Sequence, residues 1–272
     1  AGGALGTAPT MAAAGGKNDN LWVYGLKLRG EAMGGWLNAD IAANSGENRN
    51  NTAPGLAATC GTNGCNALAS NYMGKALLLD AGYNAEISGV GALTPWVNFG
   101  WGTGRSSNVE ARNEGFTAIA SDYRPGIMNR RFAGAAGIGA LNLGADGTGG
   151  STGIGTNGLG NRVVYGAGLN VTPAAWEKLT LGAQLWHFNL QRFTATNTRP
   201  AGGTENGAKH LGAEYGLTAD WKHSENVKVG LGGSVYQPGG FVKQNIRNAN
   251  GLSTYVGNNP AMLAFADFQV KF

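Results

Sequence analysis

The chain has 272 residues, of which 48 are glycine, and only 13% of its residues are charged whereas 42% are hydrophobic. The glycines follow no Gly-X-Y period, which excludes collagen, and seven Trp, eight Tyr and nine Phe exclude a disordered chain. The net charge of +4 is not gathered into basic runs with interleaved aromatics, so we expect no nucleic-acid partner.

Period-two alternation is the main structural signal in the chain. Residues 1–20 show none of it, and we expect them to form a loop. No apolar run reaches the length of about 18 residues that a transmembrane helix requires, so any passage through a membrane would have to use strands. The alternation predicts about nine strands of roughly 9 to 14 residues, long enough to cross a bilayer when tilted. They are predicted near residues 22–31, 37–41, 72–84, 93–103, 162–171, 179–185, 211–221, 227–235 and 262–272.

The alternation is clearest over residues 211–221. There Leu217 and Trp221 fall on one face, and Thr218 and Asp220 fall on the other. This arrangement is typical of a barrel strand with lipid outside and water inside. The water-facing positions of all the predicted strands hold charged side chains, which we predict to line a lumen. These candidates are Lys27, Arg29, Glu31, Asp40, Asp80, Arg162, Glu214, Asp220, Lys228, Asp267 and Lys271.

The predicted connections alternate in length. Short turns near residues 34–35, 85–91, 172–178 and 223–226 alternate with long loops near 46–70, 104–160, 192–208 and 240–260. Outer-membrane barrels have short periplasmic turns and long extracellular loops, whereas the connections of a soluble β-sandwich have no reason to sort in this way. The sequence therefore predicts a single domain over residues 1–272, an all-β antiparallel up-and-down transmembrane β-barrel surrounded by bacterial outer-membrane lipid.

The number of predicted strands raises a further question. Nine is odd, whereas single-chain bacterial barrels have an even count. One hypothesis is that the chain is the C-terminal part of a larger barrel of about 16 to 18 strands that lacks N-terminal strands here. The other is that residues 132–143, where the alternation is weak, form one more strand. The sequence leaves both open.

The longest loop contains a basic group formed by Arg124, Arg130 and Arg131. Such loops can fold into a lumen and narrow it, in which case these arginines would form a constriction that favours anionic solutes. The alternative is a solvated loop with no such role.

Two cysteines, Cys60 and Cys65, lie in the first long loop. We predict a local disulfide between them, because an oxidising compartment favours one and no nearby Cys or His completes a metal site. The three histidines have no Ser or Asp at the spacing of a catalytic triad. We therefore predict no enzyme activity, no metal and no cofactor.

Several motifs carry a family resemblance. They are the acidic segment Leu211-Gly212-Ala213-Glu214, the aromatic-x-Pro-Gly at residues 236–239, the closing strand that ends in Lys271-Phe272, and residues 24–28 and 97–104. Together they cover roughly half of the chain and resemble the alginate-export family of outer-membrane porins. The resemblance implies a large barrel that exports an anionic polysaccharide through a lumen lined by arginine and lysine. The terminal Phe272 is also similar to the signal that barrel-assembly machinery recognises.

The predicted lumen does not match that family's lumen in charge. Its acidic candidates balance its basic ones, so alginate specificity is not carried over. The sequence predicts a porin that passes hydrophilic solutes, including anionic solutes or polysaccharide, by diffusion through a water-filled barrel. The alternative is a scaffold barrel that houses or binds a periplasmic or lumenal partner protein, as an electron-conduit sheath or an adhesin would.

Overall fold

The architecture is all-β. A computed structural model describes residues 20–48, 70–104, 112–117, 123, 125–128, 159–192, 209–240 and 259–271. Its strands in chain order are β1 (Asn20–Ala32), β2 (Gly35–Asn48), β3 (Ser70–Tyr72), β4 (Lys75–Tyr83), β5 (Ala85–Ile87), β6 (Gly91–Gly102), β7 (Arg112–Asn113), β8 (Arg162–Pro173), β9 (Leu179–Leu190), β10 (His210–Lys222), β11 (Val227–Pro238) and β12 (Ala261–Val270).

The long strands form one antiparallel up-and-down sheet. Its order is β12-β11-β10-β9-β8-β6-β4-β2, and β1 pairs with the remaining edge of β2. Each of these nine strands overlaps one of the nine predicted strands, and the prediction of an all-β antiparallel up-and-down sheet is confirmed. The short strands add to its ends: β3 extends the pairing of β2, β5 pairs with β6, and β7 lies parallel to β3. Among the described strands β1 pairs only with β2 and β12 only with β11, so closure into a barrel stays a prediction.

The first turn differs by one residue from the predicted position. Ala32 pairs with Gly35, so the two turn residues are Met33 and Gly34 rather than Gly34 and Gly35. Both have positive φ, 50° and 83° respectively, which is the backbone that a two-residue hairpin turn needs to match the twist of its strands. Sequence alternation could not place the turn, because it does not report which residue adopts the left-handed conformation.

The register gives the sheet two chemically different faces. Leu28 lies opposite Ala39, Ala39 opposite Leu79, and Leu79 opposite Phe99, and this row continues to Tyr165 in β8. The neighbouring cross-strand rows on this side are also apolar, and they reach Met262 and Phe268 in β12. We call this side of the sheet the apolar face and the opposite side the polar face.

No described helix has the length and apolar character needed to span a membrane.

Candidate functional site

The polar face carries the charged residues predicted from the sequence. By the register, side chains far apart in sequence share one side of the sheet, among them those of Lys27, Asp40, Asp80, Arg162 and Glu214. Lys228 and Asp267 join the same side through β11 and β12, as does Asp220 on β10. That this face lines a lumen stays a prediction.

The contacts of these residues differ along the face. Lys27 Nζ lies 3.4 Å from Asp40 Oδ1 on the neighbouring strand. Arg29 and Glu31 are exposed on β1, and Lys271 is exposed beyond the end of β12. Exposed ion pairs contribute little to stability, typically about 0–1 kcal/mol. We therefore expect the residues at the β1 edge to influence the charge of the polar face more than the stability of the fold.

A segment of the longest loop crosses the polar face. We call residues 112–128 the strap; the structure describes 112–117, 123 and 125–128 of it. Its first anchor is Asn44 on β2, whose Nδ2 donates to the Thr117 carbonyl oxygen at 2.9 Å and whose Oδ1 accepts from the Thr117 N–H at 2.7 Å. A side-chain amide thus satisfies both backbone groups of one strap residue. Arg192 Nη1 adds an ion pair with Glu114 Oε2 at 2.5 Å.

The second anchor is a chain of polar groups in the middle of the face. The Tyr123 hydroxyl donates to Asn98 Oδ1 at 2.7 Å, and Asn98 Nδ2 donates in turn to Asp80 Oδ1. Burial, with the negative charge of Asp80 adding to it, raises the pKa of Tyr123. The tyrosine therefore keeps its proton and remains the donor that links the strap to β6 and β4.

The third anchor is the buried carboxylate of Glu214 on β10. Its Oε1 accepts the backbone N–H groups of Ile127 at 2.6 Å and Met128 at 2.9 Å. Glu214 has 0% of its surface exposed, although the sequence predicts it to face a lumen. The reason is that the strap covers it. Gly126 permits this approach, because a Cβ there would lie 2.3 Å from Glu214 Oε2.

The three anchors lie on β2, β6 and β10, so the described strap residues contact the sheet at three well-separated strands. Hydrophobic contacts reinforce it: Phe116 packs with Ala76 and Leu159, and Met128 packs with Val164 and Trp186. The described strap residues lie on the polar face, and whether the longest loop narrows a lumen stays a prediction. The basic residues Arg124, Arg130 and Arg131 lie outside the described residues, as do Cys60 and Cys65, so the constriction and the disulfide stay predictions.

Aromatic rings cover several glycines of the polar face. A Cβ on Gly166 would lie 2.4 Å from the Trp186 ring, and one on Gly168 would lie 2.4 Å from the Trp96 ring. Phe265 covers Gly232 in the same manner. At these three positions the missing side chain leaves room for a ring to lie directly against the backbone.

Below the strap, toward the short turns, these rings and several polar side chains surround a cavity of about 540 Å³. Asp220 and Lys228 line it and form an ion pair at 3.1 Å. Asp267 lines it from β12. Because side chains from β6 to β12 meet at one cavity, the sheet curves around its polar face.

The sequence did not single out the residues that organise this face. Asn44, Asn98, Tyr123 and Trp186 belong to no recognisable sequence motif. The available signal was their position in the period-two alternation, because Asn98 and Trp186 fall in the set of their strands that is predicted to face water. The strap residues that contact Asn44, Asn98 and Trp186 lie at least 25 positions away along the chain, and periodicity carries no information on such contacts.

The histidines and acidic residues do not form a metal centre among the described residues, where no group of three His, Cys, Asp or Glu side chains could hold an ion. His187 and His210 stack with ring centroids 4.4 Å apart at the loop end of β9 and β10.

No protein-family model matches the chain, and no curated protein matches it either. The class that the fold itself defines is an all-β protein built on an antiparallel up-and-down sheet.

Proposed function

We propose that this chain forms an outer-membrane β-barrel wall and that hydrophilic solutes diffuse along its polar face. The observation that carries the proposal is the apolar face. Large side chains there are strongly exposed, including Leu217 at 68%, Phe268 at 70% and Met262 at 75%. Soluble monomers rarely expose apolar patches larger than a few hundred Å², whereas such a surface is stable against lipid.

The distribution of aromatic residues on the apolar face supports a bilayer position. Trp22 and Tyr24 lie near the end with the long loops, and Trp221 and Phe268 lie near the end with the short turns. Tyr215 is an exception, since it lies in a central row. Outer-membrane barrels carry aromatic girdles at both interfaces. The strands have 9 to 14 residues, the length that crosses a bilayer when tilted.

The two sheet edges bear on the size of the proposed barrel. In a bilayer every backbone polar group needs a partner, so the outer edges of β1 and β12 cannot face lipid unpaired. We propose that both edges are paired in the membrane, in a closed barrel. The resemblance to the alginate-export family implies a barrel of about 16 to 18 strands.

The strap favours a pore for small solutes over a scaffold for a partner protein. Its described residues lie on the polar face at β2, β6 and β10, where a lumenal protein would have to lie. Charged groups of both signs remain on the face beside it, as expected for a wet interior rather than a packed core.

Planar-bilayer recording on the purified protein tests the proposal. We expect steady ohmic steps of reproducible size. Protein that has inserted, as judged by protease protection, but conducts no current would contradict it; a co-purifying protein in a blocked lumen would favour the scaffold instead. Replacing all three arginines of the longest loop with serine should shift ion selectivity toward cations, and an unchanged reversal potential would show that the loop arginines form no constriction.

A further inference from the structure

A hollow of about 640 Å³ lies on the apolar face at the end with the short turns. The Lys222 N–H donates to the Lys178 carbonyl oxygen at 2.8 Å, and Lys178 Nζ donates to the His223 carbonyl oxygen at 3.4 Å. The His223 ring also meets the Trp221 ring edge-on, with centroids 4.9 Å apart. These contacts join two short connections into one rim. The residues that line the hollow are Ala175, Trp176, Glu177, Lys178, Leu179 and Trp221.

The hollow continues into a groove along β9 and β10. The next apolar-face residues on these two strands, Leu181 and Ala219, line an adjoining depression. Leu217 lines that depression and also a further one that reaches Tyr215. From Trp221 to Tyr215 a strand rises about 20 Å, at about 3.3 Å per residue. In a strand tilted by about 45° this rise covers a depth of about 14 Å, close to one leaflet of a bilayer core of about 30 Å.

The rim of the hollow carries both charges that a zwitterionic headgroup needs. Glu177 and Lys178 are consecutive and exposed, and Trp176 on the same turn exposes 66% of its surface. A phosphate forms charge-assisted hydrogen bonds with an ammonium such as that of Lys178. A primary ammonium donates hydrogen bonds to a carboxylate such as that of Glu177, and it is attracted to the face of an indole ring.

We propose that the groove binds one molecule of phosphatidylethanolamine, with its headgroup at Glu177 and Lys178 and an acyl chain along β9 and β10. The inference rests on the proposed position of the sheet in a membrane. Phosphatidylglycerol has a phosphate but no ammonium to set against Glu177, so it should bind less tightly. A second copy of the chain could also cover an apolar face. The paired charges at one end of the groove match a headgroup instead, and the depth of the groove matches an acyl chain in one leaflet.

Native mass spectrometry of the purified protein in detergent tests the inference. The protein is incubated with equal amounts of phosphatidylethanolamine and phosphatidylglycerol that carry identical acyl chains. We expect the phosphatidylethanolamine adduct to exceed the other about fivefold, the gain that one exposed charge pair and one cation–π contact provide. Glu177→Gln should bring this ratio close to one, because it removes the partner of the ammonium. Trp176→Ala should weaken binding of phosphatidylethanolamine about threefold.

Two variants serve as matched controls. Glu86→Gln makes the same charge change on an exposed residue at the same end of the sheet. Trp22→Ala removes an indole that is 60% exposed at the opposite end of the apolar face. Neither substitution should change the ratio of the two adducts.

The outcomes separate this inference from the proposed function. Equal adducts in the unaltered protein, or a ratio that Glu177→Gln leaves unchanged, overturn the lipid site whether or not the protein conducts ions. A dimer or trimer in place of the lipid adducts assigns the groove to a second copy and overturns the lipid site as well. A preference for phosphatidylethanolamine that Glu177→Gln abolishes supports the site. That result stands even where planar bilayers show no current, in which case the proposed pore alone fails.

Discussion

Removing the carboxylate of Glu214 should release the strap from the polar face. In Glu214→Ala the buried N–H groups of Ile127 and Met128 lose their acceptor. An unsatisfied buried donor costs about 1–3 kcal/mol, so the two together cost about 2–6 kcal/mol. Since about 1.4 kcal/mol corresponds to a factor of ten, hydrogen exchange at these two amides should accelerate at least about 30-fold.

Hydrogen–deuterium exchange on the protein in detergent measures this effect. Glu214→Gln retains an acceptor oxygen and should show a smaller acceleration, because a neutral acceptor forms weaker bonds than a carboxylate. Glu177→Ala, which removes an exposed carboxylate from the turn after β8, should leave exchange in the strap unchanged. The reasoning is refuted if the amides of Ile127 and Met128 exchange at the same rate in Glu214→Ala while the strands remain protected.

Three further substitutions, two of them with a matched control, probe the two faces and the strap. Gly166→Ala should destabilise the protein by about 1–3 kcal/mol in urea unfolding, because its Cβ would lie 2.4 Å from an indole ring, whereas Gly30→Ala has open space and should be nearly neutral. Leu217→Arg should cost about 2–4 kcal/mol of folding free energy in liposomes, and Thr218→Arg on the polar face should cost much less; equal costs would contradict the assignment of the faces. Asn44→Ala should accelerate exchange over residues 114–117 by about tenfold or more, since it leaves two backbone groups unpaired.

The sequence predicted the sheet well, because period-two alternation is a local property. It located all nine long strands and assigned the charged residues to one face. It underestimated β2 and β9, which continue to Asn48 and Leu190. In residues 44–47 polar side chains occur on both faces, so the alternation ends although the backbone pairing with β1 continues to Glu47.

The organisation of the polar face could not be predicted from the pattern. Glu214 was expected to face water, yet it is buried beneath a loop whose contacting residues are 86 and 87 positions away. The contact depends on Gly126, which has positive φ of 86° and allows the backbone to approach the carboxylate. Such a contact follows from the path of a long loop, and loop paths leave no periodic signal.

The central claim is that the apolar face meets lipid and the polar face meets water. Spin labels placed singly at positions 217, 218, 219 and 220 of β10, with Cys60 and Cys65 replaced by serine, test it directly in liposomes. We predict that oxygen, which concentrates in lipid, relaxes the labels at 217 and 219, and that a water-soluble nickel complex relaxes those at 218 and 220. Equal access of the nickel complex to all four positions would contradict the account.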